Sequence, residues 1–353
     1  MIYLFKHPLI RSVKWEKAID SSKGFKPKLV EITTVRDQLV RVLSDKRPAA
    51  EIVSAVESYL PFLYSLVAVG EEIKTTRHCS ILWSSCVSRR TLLSESSNVN
   101  FEVIMTHITY SYAMSVLAHG ELMNGARENT FHQSIPLALK HLLKAAGVVR
   151  SLKQAYANLL HVPPDRPVEA IAIYGEALSL LYQAEAQALV VLRAEEAGTA
   201  RSVVARLCME VYAKSAETLK TLQSLRNDYN ELLPDFITHI EELGNLFKAK
   251  AFRFLGGESY KVDQCGEAVA YLKLARDHFS TLSANPNRPN FYANVLSEEK
   301  KNIEDELHKY QTELSLVFFQ SVPNPVDLKV PDPVGLCEPV DFAAPEPIFD
   351  KIE

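Results

Sequence analysis

Apolar positions recur at helical spacing over most of the chain. In residues 29–44, "LVEITTVRDQLVRVLS", Leu29, Ile32, Val35, Leu39 and Val42 or Leu43 follow i, i+3 and i+4 steps. Residues 48–73 repeat the pattern through Ile52, Val56, Tyr59, Leu60, Leu63 and Leu66. "FEVIMTHITYSYAMSVLAHGELM" (101–123) predicts a long, largely buried helix, and 134–160 and 168–197 predict two more. "PPDRP" at 163–167 separates that pair, because proline suits a loop and the first turn of the helix that follows. Helices over 201–225, 234–256, 264–282 and 293–315 complete the series. Strand character is confined to residues 1–25, where "MIYLF" is rich in β-branched and aromatic residues and Pro8 breaks the run. The pattern predicts a mainly α fold with a small N-terminal β-sheet.

Two stretches depart from ordinary amphipathic helices. In "AEAQALVVLRAEE" (184–196), Ala184, Ala186, Ala188, Leu189, Val190, Val191, Leu192 and Ala194 leave almost no polar face. A surface helix carries one apolar stripe, so something must cover the second side here. The other stretch begins at Pro323. Pro323, Pro325, Pro331, Pro333, Pro339, Pro345 and Pro347 forbid helix and sheet interiors. Interspersed Val322, Val326, Leu328, Val330, Val334, Leu336, Val340, Phe342, Ile348 and Phe349 predict an extended tail that lies along the helical body. The expectation is one domain over 1–353: short strands in 1–25, a helical body over 29–315 and a Pro-rich tail over 316–353. Leu255, Gly256, Ala268, Leu272 and Ala275 match the small and large positions of a tetratricopeptide helix pair. That suggests a curved solenoid, a common binding scaffold.

Composition narrows the function. The formal net charge of -4 argues against wholesale nucleic-acid binding. Five scattered cysteines, Cys79, Cys86, Cys208, Cys265 and Cys337, read as reduced thiols in a cytosolic protein. No apolar run reaches the roughly 18–20 residues of a membrane span, and no signal peptide or prenylation cysteine is expected. The chain has no G-x-G-x-x-G, Walker A loop, H-E-x-x-H, C-x-x-C or G-x-S-x-G. His78 beside Cys79, and Asp305 with His308, lack matching metal-ligand partners. No catalytic residue, cofactor, metal or small-molecule substrate is expected. Pro164 and Pro167 form a P-x-x-P that reads as a helix-entry turn before an SH3 ligand.

Several segments, in order, resemble the Bro-one domain family. "YQAEAQALVVLRAEE" (182–196) resembles its Q-A-x-A-Q-E helix, and "FEVIMTHITYSYAMSVLAHG" (101–120) its long helix beginning Phe-Glu. "LKHLLKAAGVVRSLKQ" (139–154) is similar to its K-x-x-Q-x-A-x-G-x-F helix, and "CGEAVAYLKLARDHF" (265–279) to its G-E-x-I-A-x-L helix. "FFQSVPNPVDLK" and "FAAPEPIF" resemble its "IYxxxVP" segment and Pro-rich close.

The resemblance implies a curved helical body that binds the C-terminal amphipathic helix of an ESCRT-III subunit of the Snf-seven type in an apolar groove. It implies a cytoplasmic adaptor recruited peripherally to endosomal membranes. By alignment, the groove residues fall on Val190, Val203 and Leu207, the last two an i, i+4 pair on one helix face. Periodicity alone reads all three as core. Val190 stands where the family often has Phe, a loss on the order of 1 kcal/mol of apolar burial. An acidic rim residue of the family aligns near His132, with Gln133 beside it, and the family's phosphorylatable tyrosine aligns with Phe318. No coiled arm is expected, and the resemblance is to single-domain members. Two other readings stay open: a scaffold in ambient-pH signalling that recruits a protease, and a helical enzyme or ligand carrier.

Overall fold

The computed structural model describes residues 2–21, 24–69, 74–90, 92–159, 165–282 and 290–349, with side chains from 293 onward in the last span. Pro163 and Pro164, and with them the P-x-x-P, lie outside the described residues, as do 70–73 of the second expected helix and the last four residues. The helices are α1 (Trp15–Ala18), α2 (Lys26–Ser44), α3 (Ala49–Val69), α4 (Val99–Arg127), α5 (Phe131–Arg150), α6 (Lys153–Asn158), α7 (Ala172–Glu196), α8 (Arg201–Gln223), α9 (Pro234–Lys261), α10 (Cys265–Ser280) and α11 (Asn290–Glu313). From α2 to α11 the long helices pack each on the next, which is the nearest-neighbour architecture of a helical solenoid. At the α9–α10 contact Gly256 is required. A Cβ there would come within 3.1 Å of the Ala268 carbonyl oxygen and 3.2 Å of Leu272.

Most expected helices are present, with shifted ends. The segment 134–160 is not one helix. A turn at Ser151 and Leu152 divides α5 from the short α6. The strands also differ from expectation. Residues 2–14 run extended with only a bridge from Ile10 to Trp83, and among the described residues the first 25 contribute β1 (Ile19–Asp20) alone. β1 pairs antiparallel with β2 (Lys74–Thr75), and the longer ladder joins β3 (Ile81–Ser84) to β4 (Leu93–Ser96). Thus the small sheet is there, but residues after α3 build most of it. α3 itself is long and apolar enough to cross a membrane by length and composition, contrary to the sequence reading. Its apolar face, Ile52, Val56, Tyr59, Leu63 and Leu66, is buried between α2 and α4.

A buried ionic knot locks this end of the stack. Arg36 of α2 makes a two-pronged pair with Glu102 of α4, at 2.6 and 3.1 Å, and its Nη1 donates to the Arg11 carbonyl. Trp83 Nε1 and Tyr59 Oη also donate to Glu102, at 2.6 and 3.2 Å. With its lone pairs filled, the carboxylate can sit fully buried.

The tail returns along the whole stack. Its inward residues Leu328, Pro331, Val334 and Cys337 recur every third position, the period of a polyproline II helix. Successive anchors are the Lys329 carbonyl to Tyr271 Oη of α10, Val334 and Leu336 to α8 and α7, Val340 N–H to the Leu143 carbonyl of α5, and Phe349 N–H to Ser65 Oγ of α3. Phe342 meets His107 of α4 edge-on, and Phe349 meets Phe25. Gly147 permits the α5 crossing. A Cβ there would lie 1.6 Å from the Val340 carbonyl oxygen.

Candidate partner-helix groove

The all-round apolar helix lies in α7. Ala184, Ala186, Ala188, Leu189, Val191 and Leu192 are all buried, and only Val190 and Ala194 of the apolar set are half-buried. The chain itself covers the second side. α5 and α8 flank α7, Tyr3 N–H donates to Glu185 Oε1 at 2.7 Å, and the tail crosses at Gln187. Apolar character all round therefore reflects a central helix.

α7 ends in a tight turn into α8. Gly198 adopts φ +66°, its N–H bonds the Glu195 carbonyl, and Thr199 N–H bonds the Ala194 carbonyl. These are the two bonds of a Schellman motif, which ends α7 and turns the chain into α8 within a few residues. A cluster of buried charges fixes the turn against α9 and α11. Lys250 pairs with Glu195 at 2.7 Å and Glu299 at 3.4 Å, and Arg253 pairs with Glu299 at 2.6 Å and Glu306 at 3.6 Å. Burial alone would raise the Glu299 carboxyl, but Lys250 and Arg253 outweigh it and hold it below the usual carboxylate range.

The three aligned positions are not equivalent. Val203, in the first turn of α8, is 44% exposed. Val190 is half-buried at the end of α7. Leu207 is only 3% exposed, which corrects the picture of three uncovered side chains. The tail bonds the residues beside Leu207. Val334 N–H bonds the Arg206 carbonyl at 3.2 Å, Arg206 Nε donates to the Asp332 carbonyl at 3.2 Å, and Val334 packs into the core cluster that holds Leu207. Gln187 clamps the same strand from α7. Its Nε2 donates to the Val334 carbonyl at 3.0 Å, and its Oε1 accepts from Leu336 N–H at 3.0 Å.

Two exposed apolar residues escaped the sequence reading. Leu336, anchored on Gln187 one turn from Val190, is 62% exposed, and Leu137 on α5 is also exposed. The outward phase of Leu336 follows from the three-residue period of the tail, which could have been read from its sequence. At the rim His132 and Gln133 are exposed in the first turn of α5. His132 Nδ1 lies 2.7 Å from Glu196 Oε2, so a carboxylate does stand there, supplied by α7. Phe318 is half-buried, with its ring against Tyr260. No trio of His, Cys, Asp or Glu converges as a metal site among the described residues. The five cysteines are free and buried, and burial pushes the Cys337 thiol up to about 12.

Comparison with known proteins agrees with this architecture. The BRO1-like domain profile matches residues 4–352. The human BRO1 domain-containing protein BROX is 24% identical over 341 residues, covering 89% of this chain and 79% of its own length. The pH-response regulator protein palC of Emericella nidulans is 24% identical over 345 residues, covering 78% of this chain and 67% of palC. Among solved structures, that of the ALIX BRO1 CHMP4C complex superposes with a TM-score of 0.76 at 15% identity, over 97% of this chain and 96% of that one.

Proposed function

Since the chain belongs to the BRO1-like domain family, we propose that it is a non-enzymatic adaptor that binds the C-terminal amphipathic helix of an ESCRT-III subunit at endosomal membranes. Val190 and Val203 are the apolar floor of the groove, Leu336 and Leu137 flank it, and His132, Gln133 and Glu196 form its polar rim. Leu207 supports the floor from beneath. The observation that carries the reading is Val203, an exposed apolar residue on a turn that buried ion pairs hold rigid. Helix-in-groove recognition needs such a preformed apolar strip. A relative solved with CHMP4C has the same fold, which supports the choice of partner.

The test is titration of a fluorescent CHMP4-type C-terminal peptide with the purified chain. Saturable binding that Val203→Asp removes is expected. Binding that is absent, or indifferent to that variant, overturns the reading. The palC relative favours a second use of the same groove, docking a pH-signalling scaffold on ESCRT-III while another surface recruits a protease. Co-purification of a calpain-like protease with the chain would select it.

A further inference from the structure

The tail divides one face of α7. On one side of Gln187 lies Val190 and the groove. On the other, one turn back, Gln183 lines a cavity of about 690 Å³ between α5, α6 and α7. Its walls include Val149, Tyr156, Ala157, Gly175 and Leu180, with Arg150, Lys153 and Glu176 also lining it. Small residues create the hollow. Gly175 lets the Tyr156 ring approach to where a Cβ would be only 2.9 Å from Tyr156 Oη, and that hydroxyl is spent on the Glu169 carbonyl.

Gln183 is nine-tenths buried. Its Nε2 donates to the Ser179 carbonyl at 3.1 Å, and Ser179 Oγ donates to the Ala146 carbonyl. Its Oε1 accepts no hydrogen bond among the described residues and, on the cavity lining, is free to accept one from a bound chain. Gln187, on the same stripe of α7, shows what such an amide does here: it accepts a backbone N–H from an extended, proline-containing chain. The two glutamines are about 6 Å apart along the helix axis. Extended chains pair side by side at roughly 4.8 Å, so a second one has room beside the first.

We propose that this cavity is a second docking site, for an extended, proline-containing acidic peptide that runs beside the tail and is read by Gln183 as the tail is read by Gln187. An aliphatic side chain of the peptide fills the hollow over Leu180. Its carboxylate faces the α5–α6 wall, where Arg150 already holds Asp341 of the tail at 2.7 Å and Lys153 has no ion pair among the described residues. Glu176 disfavours a carboxylate on the opposite wall and so fixes the direction. An acyl chain would fill the hollow but strip Gln183 Oε1 of water without offering a donor, whereas a peptide N–H replaces the lost bond. The site is independent of the ESCRT-III reading, because the tail separates the two grooves.

The probe is a fluorescein-labelled copy of residues 330–341, "VPDPVGLCEPVD", carrying Cys337→Ser, titrated with the full chain. Saturable binding is expected, weakened about tenfold or more by the half-buried Leu180→Asp. Lys153→Glu, an exposed change, should weaken it severalfold and reduce its salt dependence. Val203→Asp should leave this probe unaffected while removing the ESCRT-III peptide. The proposal is overturned by absence of saturable binding, or by equal binding to folded Leu180→Asp and Lys153→Glu chains. It is equally overturned if the probe binds only when Gly147→Ala loosens the tail, which would mean strand exchange, or if a fatty-acid probe occupies the cavity and the peptide does not.

Discussion

Val203→Asp separates groove from core more cleanly than any other single change. Fully burying a valine side chain is worth ~1.5–3 kcal/mol. Val203 is 44% exposed, so a docked helix can claim less than half of that, about 1 kcal/mol. An aspartate would also place an unpaired polar group against an apolar helix face, a further ~1–3 kcal/mol by mutational measures. The sum, about 2–4 kcal/mol, weakens binding ~30-fold to ~1000-fold. The same change is benign to the fold. Residue 203 is the third of α8, where an acidic side chain meets the positive end of the helix dipole and gains ~0.3–1 kcal/mol. Fluorescence anisotropy with the ESCRT-III peptide reads the affinity, and a urea melt reads the fold. Leu207→Ala is the contrasting control, because its burial makes it a stability change of ~2–5 kcal/mol. A dissociation constant for Val203→Asp within about threefold of the parent, in a chain that melts normally, would refute the groove.

Other parts of the molecule give independent tests. Arg36→Met should destabilise the chain by ~3–5 kcal/mol in urea, because Glu102 would remain buried with only Trp83 and Tyr59 as donors; a loss below ~1 kcal/mol would mean the knot is not buried as described. His107 is enclosed between Tyr64, the Val103 carbonyl and the Phe342 ring, and burial, partly offset by the bond to Val103, pushes its pKa down to about 4. The unfolded chain takes up that proton first, near pH 6.5. The contribution is therefore intact above that pH and falls away by about 3 kcal/mol as pH drops to 4. Asn at 107 should flatten the urea midpoint between pH 7 and 5, and an unchanged slope would assign the loss elsewhere. Gly147→Ala should lift the tail from α5 while leaving the helices intact, seen as faster labelling of Cys337 by a thiol reagent; labelling at the parental rate would show that the crossing adapts.

What the sequence disclosed and what it hid follow one physical line. Helices whose apolar residues face a sequence neighbour, such as α2 and α3, were legible because i, i+3 and i+4 spacing is a local property. The α5–α6 break was not, since Ser151 and Leu152 carry neither Pro nor Gly. Nor was the β3–β4 ladder, because "ILW" is a continuous apolar run without alternation. The site exposes the same limit more sharply. Val203 and Leu207 are an i, i+4 pair with the same local signature, yet one is open and the other sealed. Packing in three dimensions distinguishes them, and beside Leu207 it includes the tail, whose Val334 meets Gln187 from 147 positions away in the chain. Periodicity cannot carry information across that distance. In the proposed groove the tail is therefore one wall. Bonded to Arg206 and Gln187, with Leu336 outward, tail residues 332–336 would border a partner helix in the proposed groove. Groove specificity should then change with substitutions in the tail as readily as with those on α7 or α8.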